Sequence, residues 1–173
     1  MSETIDNFGD YFKPNDKKEN FSLLENIQKN VYLLIAEFKT HNIEIEVKGD
    51  DIITFGYPNT FRQVMLNLIN NSKDAILSQQ KENKELIGVI SIELSNSESE
   101  YKVTISDNEG GINEAIIYKI FEPYFTTKFQ NQGTGLGLYM VKEITDRYYN
   151  GSIEVSNGIN GAIFTIKVPK VKN

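Results

Sequence analysis

Asparagine is an uncommon choice for the middle of a helix, yet Asn67, Asn70 and Asn71 fall close together in a stretch with clear helical spacing. Phe61, Val64, Met65, Leu68, Ile69 and Ile76 form one apolar stripe. At ~100° per residue, Gln63, Asn67, Asn71 and Asp74 share an adjoining stripe, with Asn71 nearest the apolar border. Asparagine is disfavoured in helices relative to Ala or Lys, so this cluster asks for a reason. An uncharged amide oxygen can complete the shell of a Mg²⁺ ion that already holds phosphates, without repelling them. The plain alternative is an amphipathic helix whose polar face is amide-rich. A second candidate is Asp107. Tyr101, Val103 and Ile105 point to one face of a strand, and the two-residue period carries Asp107 onto that face. A carboxylate there is costly unless a donor meets it, and the amino group of a purine is a suitable flat, uncharged donor. The glycines that follow, in Asn108-Glu109-Gly110-Gly111-Ile112, let such a ring approach. A strand-end aspartate that merely caps the next turn is the competing explanation. The third candidate is Gly133-Thr134-Gly135-Leu136-Gly137-Leu138, placed directly before a helix. Free amides at such a start can surround phosphate oxygens, aided by the helix dipole, although many glycine-rich segments are only tight turns. Upstream, Phe121-Glu122-Pro123-Tyr124-Phe125-Thr126-Thr127-Lys128 supplies aromatic anchors and a cation, or a surface loop with docked rings.

Elements must hold these residues, and their pattern is readable. Ser22 and Glu25 form a capping box ahead of a helix that runs to about Lys39. Strands are expected at Ile43–Val47 and Ile52–Phe55. The asparagine helix runs from Pro58 to about Gln79. Further strands are expected near Val89–Leu94 and Tyr101–Ser106, and a short helical pattern near Ala115–Lys119. A helix from Leu136 to Tyr149 stops at Asn150-Gly151, and strands 152–155 and 162–168 flank two Asn-Gly pairs that signal a hairpin. Three long helices interleaved with about six strands predict a two-layer α/β (α+β) sandwich, a mixed sheet covered on one face.

Composition narrows the chemistry. The 173 residues fit one ordinary domain, and a 39% hydrophobic share excludes bulk disorder. With 24 acidic against 18 basic residues the net charge is −6, a poor balance for binding nucleic acid. No stretch is apolar for long enough to span a membrane, and the polar, acidic Met1–Asp10 lacks a signal peptide's apolar run. Zero cysteines exclude thiolate metal sites, and the single His41 excludes multi-histidine centres. Carboxylates, amides and glycines are left to carry the function.

Taken in order, Leu66–Ala75, Asp107–Ile112, Ile120–Lys128 and Gly133–Leu138 resemble the N, G1, F and G2 boxes of the catalytic ATP-binding domain of sensor histidine kinases. The resemblance covers about residues 21–170, with 171–173 as a tail. Residues 1–20 read as a linker or the end of the dimerisation-helix region, and Asp6–Glu25 is similar to the family's junction leaving those helices. It implies a Bergerat fold, a mostly antiparallel sheet under three helices with a flexible lid at Thr126–Gln132, binding ATP and Mg²⁺. By that likeness Asn71 holds Mg²⁺ with Asn67 near the phosphates, and Lys128 joins them in catalysis. Asp107 accepts from the adenine amino group, while Gly111 and Ile112 line the base. The rest of the implied nucleotide set is Asp74, Thr126, Thr127, Lys128, Gly133, Thr134, Gly135, Leu136, Gly137 and Leu138. Implied partners are a dimerisation and histidine-phosphotransfer helical domain and a response regulator, in a cytoplasmic setting within a parent protein that can be membrane-anchored.

Two positions depart from the pattern. Glu109 replaces the first glycine of the usual Asp-x-Gly-x-Gly, and Asp74 stands where many members carry a phosphate-contacting lysine, leaving that task to Lys128 or Lys73, or unfilled. Related ATPases of the fold activate water with a carboxylate one turn before Asn71. Asn67 occupies that position, and an amide cannot take the proton, which disfavours hydrolysis. His41 lies between a helix and a strand, outside an acceptor context, so the chain is expected to hold the phosphate donor half alone. The alternative is a nucleotide-dependent interaction switch, either an anti-sigma-factor-like serine kinase or an inactive pseudokinase.

Overall fold

A computed structural model of the chain describes residues 12–127 and 134–171. Seven strands and three helices follow in the order β1 (Glu19–Ser22), α1 (Leu23–Thr40), β2 (Ile43–Gly49), β3 (Ile53–Gly56), α2 (Pro58–Gln80), β4 (Gly88–Asn96), β5 (Glu100–Asp107), α3 (Gly137–Tyr149), β6 (Ser152–Asn157) and β7 (Ala162–Pro169). Five strands form one sheet in the order β2-β4-β5-β7-β6. β2 and β4 are parallel, joined by the crossover through α2, and the other three pairings are antiparallel.

Alternation along the strands decides which face the helices cover. On β5 every second residue is buried, and on β7 the same holds for Ala162, Phe164, Ile166 and Val168. Those rows meet Val64, Met65, Leu68, Ile69 and Ile76 of α2 and Val141 and Ile144 of α3 in a single hydrophobic cluster. At about 25 cal/mol per Å² of apolar surface removed from water, this shared face is the main force holding the layers together. The expected two-layer architecture is the one found.

Local signals placed most boundaries. Ser22 Oγ accepts from the Glu25 N–H at 3.0 Å and starts α1. Asn150, at φ 49°, ends α3 in the left-handed conformation. The strand at Ile53–Gly56 pairs antiparallel with β1, in a two-stranded ribbon that begins at Glu19. One expectation needs correction. Residues 113–122 form successive turns rather than a helix. Ile116 and Ile117 both donate to the Asn113 carbonyl and Lys119 to that of Ile116, a pattern that does not propagate.

Candidate functional site

The site follows α2 lengthwise. Near its middle Asn67 donates from Nδ2 to the Gln63 carbonyl at 3.1 Å and faces the Met140 sulfur of α3 at 4.0 Å. The start of α3 comes close to the same amide: a Cβ on Gly137 would lie 3.0 Å from Asn67 Oδ1, a tight contact. One turn further, Asn71 is half-buried, and no described residue holds its amide. Towards the C-terminal end, Gln79 lies beside Gly110, where a Cβ would be 3.4 Å from its Nε2. From Asn67 to Gln79 the helix advances about 18 Å at 1.5 Å per residue. The glycine loop before α3 therefore marks one end of this stretch of α2, the glycine pair after β5 the other, and Asn71 lies between.

At the second end stands Asp107. It is the last rung of the buried row Tyr101, Val103, Ile105, opposite Ile90 of β4. Its carboxylate accepts the Glu109 N–H at 3.1 Å and also the backbone N–H of Ala162. Burial outweighs those two bonds and, with a smaller contribution from the Glu109 charge, pushes the carboxyl up to about 6. Gly110 and Gly111 both adopt left-handed backbone, at φ 89° and 56°. Glu109 is half-buried beside them.

At the first end, Tyr124 and Gly135 are joined. The Tyr124 N–H donates to the Gly135 carbonyl at 2.9 Å, and a Cβ on Gly135 would come within 2.7 Å of Tyr124 Cα. Both residues are left-handed, at φ 65° and 70°. Phe121 meets Phe164 edge-on at 6.4 Å and Phe125 packs against the core, so the aromatic segment is anchored as its composition suggested. The Leu136 N–H donates to Thr134 Oγ1 at 3.3 Å, and Leu136 and Leu138 are half-buried. Thr126 and Thr127 are exposed, and Asp74 is half-buried on α2. Lys128 and Gly133, with most of the expected lid, lie outside the described residues. Lys73 points to α1 rather than the glycine loop, and pairs with Glu37 at 2.8 Å.

Sequence reasoning missed three supports. Asn157 grips the main chain of Ile112, Gly161 packs its backbone on Asp107, and Asp16 caps the start of α2. A separate cavity of about 480 Å³ lies between residues Phe12–Asp16, the first turns of α2 and Met140, away from Asp107. Among the described residues no three acidic or histidine side chains converge as a metal site.

Residues 56–172 match the family model described as histidine kinase-, DNA gyrase B-, and HSP90-like ATPase. The chain belongs to this family. Among sensor proteins, the two-component sensor PprA of Pseudomonas aeruginosa is 30% identical over 139 residues, covering 79% of this chain and 15% of PprA. The sensor histidine kinase ZraS of Escherichia coli K12 is 32% identical over 146 residues, 83% of this chain and 29% of ZraS. The chain thus spans less than a third of either relative. The nucleotide-free catalytic domain of the histidine kinase ThkA superposes with a TM-score of 0.77 at 29% identity, covering 89% of this chain and 96% of that one. The chain is accordingly a histidine-kinase-type catalytic ATP-binding domain.

Proposed function

We propose that this domain holds Mg-ATP along α2, between the glycine loop before α3 and the glycines after β5, and presents its γ-phosphoryl group to a histidine on a separate helical dimerisation domain. Asp107 accepts a hydrogen bond from the adenine amino group, and Gly111 and Ile112 form the shelf on which the base lies. Asn71, whose amide no described residue holds, offers its oxygen to Mg²⁺, with Asn67 and Asp74 along the same face. Main-chain amides from Thr134 to Leu138 face the phosphates at the start of α3, where the dipole favours negative charge. Thr126, Thr127, Lys128 and Gly133 complete the phosphate end. Bound Mg²⁺ supplies neutralisation of the charge that develops on the transferring phosphoryl group. The chain's own part is positioning: Asn67 cannot act as a general base, so water is not activated and the phosphoryl group is kept for an external nucleophile. A response regulator is the downstream partner; the relative ThkA is recorded in complex with the response regulator TrrA.

The observation that carries this reading is Asp107, a carboxylate left in an apolar row with two backbone donors and glycines in front of it. Titration with a fluorescent adenine nucleotide, with and without Mg²⁺, tests it. The wild type should bind, Mg²⁺ should tighten the triphosphate, and Asp107→Asn should weaken binding roughly tenfold or more, the worth of one charge-assisted bond of about 1.5–3 kcal/mol. An unsaturated signal at millimolar nucleotide would remove the proposal.

A further inference from the structure

The glycine shelf beside Asp107 has no rigidity of its own. Two consecutive residues, Gly110 and Gly111, are left-handed, and glycine restricts the backbone least of all residues. Something outside the loop has to hold it: Asn108 ties its start to β4, accepting the Val89 N–H at 2.7 Å, and its end is held from β6. The Ile112 N–H donates to Asn157 Oδ1 at 2.7 Å, while Asn157 Nδ2 donates to the Ile112 carbonyl, also at 2.7 Å. One side chain thus satisfies both main-chain groups of the residue that ends the shelf, as a neighbouring strand would. The fit is close, because a Cβ on Gly111 would lie 3.0 Å from that same Oδ1. Across the β6–β7 turn, closed by Gly158 N–H donating to the Gly161 carbonyl at 2.7 Å, the Ala162 N–H binds the Asp107 carboxylate. Gly161 itself has no room for a Cβ against Asp107.

From this geometry we propose that Asn157 is a positioning residue for base recognition: it acts through Ile112 to hold the shelf at a fixed height above Asp107. An Asn-Gly pair at a strand end suffices for a turn without any such reach, and the two bonds to a residue 45 positions away serve nothing in the hairpin. The hairpin consequently fixes the two halves of the base site together, the acceptor through Ala162 and the shelf through Asn157. A shelf held in advance removes an ordering cost from binding, and it keeps a purine with a different edge from being accommodated by loop movement. The effect belongs to ground-state binding, remote from the phosphates, so it raises affinity without altering the rate of transfer at saturation.

The inference rests on the assignment of Asp107 to the adenine edge, and the variants separate the two. In the full chain, Asn157→Ala should weaken ADP binding about tenfold and narrow the preference for adenine over guanine nucleotides. With a histidine-bearing acceptor domain it should raise KM for ATP and leave kcat within about twofold. Hydrogen exchange across 108–113 should accelerate in the variant without nucleotide. Asn157→Asp keeps the shape and the acceptor but loses the donor and faces the Ile112 carbonyl with charge, and it should show the same pattern. It also carries the test if Asn157→Ala fails to give a cooperative melt. A variant that only lost stability would lower the active fraction while leaving Kd, base preference and KM unchanged. That outcome, or unchanged exchange at 108–113, overturns the positioning role. If Asp107→Asn binds ADP as well as the wild type does, the assignment of the site itself fails instead.

Discussion

An ionised carboxylate is an expensive side chain to leave in an apolar row, and Asp107 carries that cost in the folded state. Its carboxyl is raised to about 6 from an ordinary value of 3.8, chiefly by burial. The folded chain therefore holds this proton more tightly than the unfolded chain does. Stability contributed by the group is greatest below about pH 4 and is lost as pH rises through 6. Asp107→Asn removes the charge and should stabilise the domain at about pH 8, by roughly 1–3 kcal/mol, since each pKa unit corresponds to 1.36 kcal/mol. In urea unfolding the advantage should shrink as pH falls towards 4, and the gain in stability should accompany the loss of nucleotide affinity. A variant that is less stable at every pH would mean that the carboxylate serves the fold rather than a ligand. This residue was legible from a two-residue period alone, and Asn67 and Asn71 from a helical stripe. Asn157 was not. Its partner lies 45 positions away, and locally an asparagine before a glycine reads as a turn.

The same distinction holds for whole elements. α1 and α3 announce their ends through neighbours in sequence, Ser22 with Glu25 and Asn150 with Gly151, and both boundaries were readable. The start of α2 has no such device: Tyr57 makes no capping bond, and Pro58 only marks the first turn. The cap comes from the segment ahead of β1 instead. Asp16 accepts the Asn59 N–H at 2.9 Å and the Thr60 hydroxyl at 3.0 Å, placing negative charge at the positive end of the helix that carries the asparagines. Asp16→Ala should cost about 0.5–2 kcal/mol in a denaturant titration, the usual worth of a lost N-cap. Asp16→Asn, which still offers an acceptor, should recover most of it. Equal losses in the two variants would assign the effect to the charge rather than to the cap. β1 was missed for a related reason. Four residues with no clear alternation acquire strand structure only through pairing with β3, more than thirty positions on. Turns at 113–122 mimic a helix in composition, but they lack a buried face long enough to sustain one; within them only Ile120 is buried.

At the scale of the molecule, the deciding question is whether the chain contains its own phosphate acceptor. Its single histidine, His41, caps the C-terminal end of α1, where its N–H bonds the carbonyls of Glu37 and Phe38 and its own carbonyl accepts from Gln80 at the end of α2. Gln80 stands nine residues beyond Asn71, about 14 Å along the helix axis. In-line transfer needs the attacking nitrogen within roughly 3–3.5 Å of the phosphorus. His41 is thus tied to the far end of α2 and out of reach of a phosphoryl group held between Asn71 and the start of α3. Incubated with γ-labelled Mg-ATP, the chain alone should acquire no acid-labile label, and His41→Gln should behave identically. Addition of a helical domain bearing an acceptor histidine should produce label on that domain, at a rate that rises with its concentration, because the encounter is bimolecular and no linker raises the local concentration. Free phosphate should accumulate slowly, since Asn67 offers no base to water. Label on the chain itself that is lost in His41→Gln would place the acceptor in cis. Fast release of phosphate without an acceptor would move the domain to the hydrolytic branch of its family.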